Sequence, residues 1–192
     1  MNIKKPKFWD FKKPNLTSYL LLPFTIPLLI NNFFLNKKKK KIREIKSICV
    51  GNIYIGGTGK TPTTIKLYEI LKKIEPQICT GKKFYSNHED EKIILEKKTN
   101  LISEESREKI IQIAIKEKQK IIIFDDGLQD KKLNYDLKFV CFDSKNWIGN
   151  GKLIPAGPLR EKISSLKKYD VVFLKNSENH RNIQEIIKNY NQ

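Results

Sequence analysis

Short, nearly unbroken apolar runs alternate along this chain with longer stretches in which apolar residues recur every three or four positions. Ser47-Ile48-Cys49-Val50, Gln77 to Thr80, Thr99 to Ile102, Ile121-Ile122-Ile123-Phe124, Leu137 to Phe142 and Asp170 to Leu174 are the short runs. Runs of this length, rich in β-branched and aromatic residues, predict buried strands. Ile65, Leu67, Ile70, Leu71 and Ile74 keep helical spacing and predict a helix from Pro62 to about Lys73, which Pro76 ends. Ile110, Ile111, Ala114 and Ile115 do the same for a second helix, opened by the cap and acidic first turn of Ser103-Glu104-Glu105-Ser106. Ile93-Ile94-Leu95 opens a short helix, Ile163 to Lys168 forms a brief one, and Arg181 to Tyr190 closes the chain. Strands alternating with helices predict an α/β fold with a doubly wound, mainly parallel sheet.

Residues 1–45 break this alternation. Residues 1–15 are basic and aromatic, with Phe8-Trp9-Asp10-Phe11 and Pro14, and Leu16 to Leu35 is mostly apolar without a formal charge. Twenty such residues are about long enough to span a bilayer. Pro23, Pro27 and Asn31-Asn32 oppose a straight lipid-exposed span. A kinked helix lying in the membrane interface, anchored by Trp9 and the phenylalanines, is the preferred reading. A span and a helix packed onto soluble protein are the alternatives. No small-residue cleavage site follows, which disfavours a cleaved leader. The expected organisation is a membrane-interface segment over 1–45 and an α/β domain over 46–192.

Charge sharpens that division. The net charge of +17 rests on lysine, since only four of the 38 basic residues are arginine. Residues 1–46 hold twelve basic side chains against Asp10 and Glu44, packed around the most apolar stretch of the chain. Basic residues flanking an apolar segment point to an anionic membrane surface as partner. No nucleic-acid module is present, so nucleic acid is not an expected partner. Lys37 to Lys41 place the downstream domain on the cytoplasmic side by the positive-inside rule. Cys49, Cys79 and Cys141 lie in strand-like surroundings without metal-ligand spacing, and read as buried free thiols.

The candidate chemistry lies after the predicted strands, where such sheets bind ligands. Tyr54-Ile55-Gly56-Gly57-Thr58-Gly59-Lys60-Thr61 stands between the first strand and the first helix of the domain, the setting of a phosphate-binding loop. Its glycines let successive N–H groups face an anion, Lys60 supplies a charge for the β/γ-phosphates, and the Thr61 hydroxyl is a ligand for Mg²⁺. The strand ending in Asp125-Asp126 is the usual partner of such a loop, its carboxylates holding the metal. Gln129 and Asp130 follow, suited to orient a water, a metal or an acceptor hydroxyl. Arg160, in the Gly/Pro-rich loop Gly149 to Glu161, is suited to grip a phosphate. Asp90 and Glu91 fall beside His88 in a polar loop, where a carboxylate within reach of a hydroxyl acts as general base.

Taken together, Cys49-Val50-Gly51-Asn52-Ile53, Gly56 to Pro62, Asp125-Asp126-Gly127-Leu128-Gln129, Gly149-Asn150-Gly151 and Pro155 to Glu161 resemble the tetraacyldisaccharide 4′-kinase (lipid A 4′-kinase) family, in the family's order and over nearly the whole chain. The resemblance implies a P-loop NTPase-like fold and transfer of the ATP γ-phosphate, with Mg²⁺, to the 4′-hydroxyl of a tetraacylated glucosamine disaccharide 1-phosphate. It places the reaction at the cytoplasmic face of the inner membrane. Asp90 aligns with the family's acidic residue taken as base. Asp90, Lys60 and Asp126 are then the catalytic candidates; Thr61, Asp125 and Asp126 hold the metal; Asn150, Arg160 and Gln129 contact substrate. The chain also departs from the family. Tyr54 replaces a small Thr or Ser, Thr80-Gly81-Lys82-Lys83 replaces Ser-Arg-Gly-Tyr, and Asp130 stands where His or Asn is common. Family members continue into a second lobe carrying a His that assists the catalytic Asp, and His180 does not match it. The expectation is therefore a truncated or reduced member, with a catalytically degenerate, membrane-associated ATP-binding protein as the alternative function.

Overall fold

The computed structural model describes residues 5–34, 39–84, 89–130, 132–176 and 181–190. In chain order the elements are α1 (Leu16–Leu20), α2 (Ile26–Phe34), β1 (Lys40–Lys41), β2 (Lys46–Gly51), α3 (Lys60–Lys72), β3 (Ile78–Lys83), α4 (Glu89–Lys98), β4 (Leu101–Glu104), α5 (Arg107–Lys116), β5 (Ile121–Asp125), β6 (Leu133–Asn134), β7 (Leu137–Asp143), β8 (Val171–Lys175) and α6 (Arg181–Tyr190). Short 3₁₀ turns cover Lys7–Asp10, Leu22–Thr25 and Ile163–Lys168. The alternation read from the sequence is present, and the sheet is parallel with helices between its strands.

Two compact units interleave along the chain. One comprises Lys39–Gly51 and Gly59–Phe139. Its sheet runs β4-β3-β5-β2. Every pairing among these strands is parallel, with Val50 opposite Asp125, Gly81 opposite Phe124 and Lys82 opposite Ser103. Ile122, Ile123 and Phe124 of β5 are wholly buried, as a strand with a neighbour on each side and helices over the sheet must be. α5 packs on β3 and β4, and its Ile110 reaches Gly81 so closely that a Cβ there would meet Ile110 and the Phe124 ring at 3.0 Å or less. Ser106 caps α5 by accepting the Lys109 N–H at 3.2 Å. β4 runs on to Glu104, so the helix starts later than the acidic cluster suggested. The strand takes Ser103 and Glu104 because pairing with Lys82 and Lys83 satisfies their backbone.

The other unit comprises Met1–Lys38, Asn52–Thr58 and Val140–Gln192. Its apolar N-terminal stretch forms broken helices, α1, a 3₁₀ turn and α2, with Pro23 and Pro27 at the starts of the latter two. Proline has no N–H to give and sits most cheaply in a first turn. Leu28 and Leu29 turn inward onto Tyr54, Leu153 and Leu159. No helix among the described residues is long and apolar enough to cross a membrane.

Candidate active site

β2 delivers the chain into the glycine-rich loop and α3 takes it out. Gly59 occupies the left-handed region at φ 86°, and the residues of Lys60–Lys72 follow it as a helix with no side chain capping its first turn. The Asn52 amide donates to the Gly56 carbonyl at 3.2 Å, and the Thr63 hydroxyl to the Gly59 carbonyl at 2.9 Å. Two of the loop's carbonyls are thus engaged, while the N–H groups of Lys60 and Thr61 open α3 without a side-chain cap, an arrangement suited to an anion.

The parallel register of β2, β3 and β5 assembles the charged groups. Asp125, the last residue of β5, is buried, and it accepts the Thr61 hydroxyl at 3.1 Å and the Thr64 hydroxyl at 3.4 Å. Lys82 follows Gly81 on β3 as Asp125 follows Phe124 on β5, and its ammonium lies 2.6 Å from Asp125 Oδ2. It also lies 2.7 Å from Glu91 Oε2 on the first turn of α4. Burial by itself would lower the Lys82 pKa; the Asp125 and Glu91 carboxylates outweigh it and hold the ammonium charged, above the ordinary lysine range. Lys60, at the first position of α3, lies 3.9 Å from Asp126 Oδ2.

Asp126 itself sits in the left-handed region, at φ 59°. Its N–H donates to the Val50 carbonyl at 2.8 Å, and Arg107 donates through Nη2 to its carbonyl. The second Arg107 nitrogen, Nη1, binds Asp130 Oδ2 at 2.8 Å in a pair that is almost fully buried. Asp130 Oδ1 meanwhile accepts the N–H groups of Lys132 and Leu133 at 2.7 and 3.0 Å. Behind them lie Cys49 and Tyr135, pressed so close to Gly127 that a Cβ there would stand 2.7 Å from the Tyr135 hydroxyl. Burial pushes the Cys49 thiol far above its usual range, with Arg107 opposing in part. All three cysteines are buried and free, as expected.

The remaining candidates are distributed as follows. Asp90 is exposed on the first turn of α4, not in a loop; acids there complement the helix N-terminus. Its neighbour His88 lies outside the described residues. Gln129 is half-buried after β5. Tyr54 is buried, its hydroxyl donating to Asp10 Oδ1 at 2.7 Å and its ring beneath the Lys5 ammonium. Leu159 bridges to Tyr54, so that Arg160 donates its N–H to the Ile53 carbonyl at 2.7 Å and Ile55 donates to the Pro158 carbonyl at 2.9 Å. That ladder sets the Gly/Pro-rich loop alongside the lead-in to the phosphate loop, Arg160 included. Asn150 is buried in the same loop, donating to Ser18 Oγ at 2.9 Å and to the Ala156 carbonyl at 3.0 Å. Its neighbour Gly149, at φ 56°, stands where a Cβ would strike the Trp9 carbonyl.

Residues 20–191 match the family model described as tetraacyldisaccharide-1-P 4′-kinase. The chain belongs to that family. The tetraacyldisaccharide 4′-kinase of Pelagibacter ubique is 52% identical over 192 residues, which is all of this chain and 61% of that protein. That of Rickettsia felis is 36% identical over 197 residues, covering 92% of this chain and 59% of the relative. The crystal structure of the "apo" form of the Aquifex aeolicus family member in complex with ATP superposes with a TM-score of 0.72 at 26% identity, over 86% of this chain and 61% of that one. The chain therefore spans about three fifths of the length of the curated relatives it matches.

Sequence reading of this kinase-family chain missed Lys82 and Arg107 as parts of the site. Both stand at the ends of elements whose register, not composition, carries them to Asp125 and Asp126. The available signal was the mismatch at Thr80-Gly81-Lys82-Lys83, a basic pair just past the apolar run Gln77 to Thr80.

Proposed function

We propose that this chain carries the ATP-binding and phosphoryl-transfer machinery of a tetraacyldisaccharide 4′-kinase, which moves the γ-phosphate of ATP to the 4′-hydroxyl of a tetraacyldisaccharide 1-phosphate to give lipid IV-A. The carrying observation is the pairing of Thr61 with Asp125 and of Lys60 with Asp126, at the carboxyl end of a parallel sheet and at the start of α3. The family membership supports the choice of acceptor.

The oxygen donors suit Mg²⁺. Thr61 and Asp125 are hard ligands 3.1 Å apart, and a cation, the Lys82 ammonium, already rests on Asp125. Among the described residues no three His, Cys, Asp or Glu side chains converge. An ion on Thr61, Asp125 and Asp126 would complete its shell with water and phosphate oxygens, as Mg²⁺ commonly does. Bound there, it would neutralise phosphate charge. The uncapped start of α3 offers N–H groups to the phosphates, and the Lys60 ammonium adds a mobile positive charge. Asp90, exposed and one helical position from Glu91, is the group available to accept the acceptor's hydroxyl proton. The Asp126 carboxylate, 3.9 Å away, draws the Lys60 ammonium toward the site while no nucleotide is present.

The outward side of the N-terminal helices supports a membrane-bound substrate. Leu16, Leu20 and Phe24 are 76, 67 and 66% exposed while Leu28 and Leu29 pack inward, and lysines flank this apolar stretch on both sides in the sequence. An exposed apolar surface in a segment flanked by lysines fits an anionic bilayer at the cytoplasmic face of the inner membrane.

Transfer of labelled phosphate from ATP to the purified lipid disaccharide in detergent tests the reading, with Lys60→Ala as control. Transfer by wild type that Lys60→Ala loses is the expected result. ATP binding without transfer would replace it with the degenerate nucleotide-binding alternative.

A further inference from the structure

We propose that Lys82 is a resident counter-cation of the metal carboxylates: its ammonium holds Asp125 and Glu91 together in the nucleotide-free protein and competes with a divalent cation for Asp125. The inference deepens the kinase reading and rests on it for Asp125 as a metal ligand.

The competition is for one atom. Asp125 Oδ2 receives the Thr61 hydroxyl at 3.1 Å and the Lys82 ammonium at 2.6 Å. A divalent ion shared by Thr61 and Asp125 would take the carboxylate oxygen nearest the Thr61 hydroxyl, which is that same Oδ2, since Oδ1 faces Thr64. An ammonium and a divalent cation both close to it would repel each other strongly in a site this far from water. Lys82 and Asp125 are only 7 and 0% exposed at their side chains, so neither is weakened by bulk solvent. The ion must therefore displace an ammonium that water does not loosen.

The surroundings allow that displacement. Lys82 stands at the end of β3, with its backbone fixed by β4 and its charge at the end of a four-carbon stem. Glu91, its second partner, is 41% exposed at the side chain and sits on another element, α4. When an ion takes Asp125, Lys82 keeps a carboxylate in Glu91 and is never left as an unpaired buried charge, which would be costly. Lys60 lies more loosely against Asp126, at 3.9 Å. Two ammonium groups thus face three carboxylates, and the acids stay ordered without metal.

The consequence is a site that takes metal poorly by itself and well when phosphate oxygens arrive with it. Binding of Mn²⁺ to the nucleotide-free full chain, followed by the loss of the free-ion electron spin resonance signal, tests this. Lys82→Met removes the charge and keeps the stem; it should bind Mn²⁺ at least about tenfold more tightly than wild type, a shift worth about 1.4 kcal/mol. Lys82→Arg keeps the charge and should bind like wild type. Equal or weaker Mn²⁺ binding by a folded Lys82→Met overturns the proposal. Should Lys82→Met fold only with Mn²⁺, its melting temperature rising with the ion more than that of wild type, the ion has taken the ammonium's place as proposed. A variant that stays unfolded at saturating Mn²⁺ overturns it as well. ATP binding by wild type, read in parallel as a thermal shift, reports on the kinase reading separately: its absence would count against that reading and leave the Mn²⁺ comparison to decide the role of Lys82.

Discussion

The Tyr54 hydroxyl donates to Asp10 Oδ1 at 2.7 Å, joining the start of the phosphate loop to the N-terminal segment. Lys5 completes the group, bonded to the same hydroxyl, paired with Asp10 and 4.7 Å from the centre of the Tyr54 ring. Burial and the Asp10 carboxylate push the phenol well above its ordinary range, so it stays a donor at any physiological pH. The ring lies under Gly56, where a Cβ would stand 3.1 Å from Tyr54 Cε1. Tyrosine here does structural work that a small Thr or Ser could not. Tyr54→Phe should cost about 1 kcal/mol, the usual net worth of such a hydrogen bond. Tyr54→Thr, which also empties the space against Leu153 and Leu159, should cost about 3 kcal/mol or more. Urea unfolding followed by circular dichroism measures both, and adding Asp10→Ala to Tyr54→Phe should cost less than the sum of the two single changes.

Asp90 and Glu91 are neighbours in sequence with different surroundings. Glu91 is engaged by the buried Lys82, whereas Asp90 faces solvent at the start of α4. Asp90→Asn should therefore lower kcat by roughly 10² to 10⁴, the range of a lost general base, and leave ATP affinity near wild type. Glu91→Gln should instead change the Mg²⁺ and ATP concentration dependence, because it withdraws charge from Lys82. Steady-state transfer to the lipid disaccharide, together with ATP titration, separates the two. Equal kinetic effects of both changes would remove the distinct role given to Asp90.

The strands, α3 and the glycine loop were legible in the sequence because each is dictated locally. The run Ile122 to Phe124 has no choice but to be buried, and Gly56 and Gly59 take the positive φ that the loop needs before the helix. Asp125 ends that strand and Asp126 follows it, which is why both stood out as candidates in the sequence. What was not legible depends on register and crossings. Nothing near Arg107 in sequence says that it will hold the Asp126 carbonyl from nineteen residues away. Lys82 looked like one lysine among thirty-four, until parallel pairing of β3 with β5 set it beside Asp125. Asn150, read from a motif as a substrate contact, has its amide committed to Ser18 and Ala156 by packing that no spacing encodes. The polar loop expected around Asp90 is shorter than read, because β3 runs to Lys83 and α4 begins at Glu89.

Phe24 is exposed in the 3₁₀ turn before α2, whereas Leu29 of α2 packs on the Tyr54 core. If the outward side meets lipid, Phe24→Glu should weaken binding to vesicles containing phosphatidylglycerol by about tenfold and leave the melting temperature unchanged. Leu29→Glu should lower the melting temperature instead, since it buries a charge among apolar side chains. Vesicle flotation and differential scanning fluorimetry distinguish the two outcomes. Unchanged flotation of Phe24→Glu would separate the exposed apolar side from membrane binding.

Asp136 ties the start of β2 to the turn before β7. Its Oδ2 accepts both the Ser47 N–H and the Ser47 hydroxyl at 2.9 Å, and its own N–H donates back to Ser47 Oγ at 3.1 Å. Burial works to raise its pKa, but the two Ser47 hydrogen bonds, with Lys41 and Lys46 adding their charges, prevail and hold it below the ordinary carboxylate range. A carboxyl group with a depressed folded-state pKa stabilises the protein above its unfolded pKa of about 3.9 and loses that contribution as pH falls through the folded value. Asp136→Asn should therefore be less stable than wild type by on the order of 1 kcal/mol at pH 5 to 8. That gap should be constant across the range and should narrow only as the pH drops below about 4, where wild-type Asp136 takes up its proton. Urea midpoints of both proteins, taken from pH 3 to pH 8, give the comparison. A gap that instead opened at low pH would mean that Ser47 binds the protonated carboxyl more tightly than the carboxylate, against the geometry of two N–H and O–H donors on one oxygen.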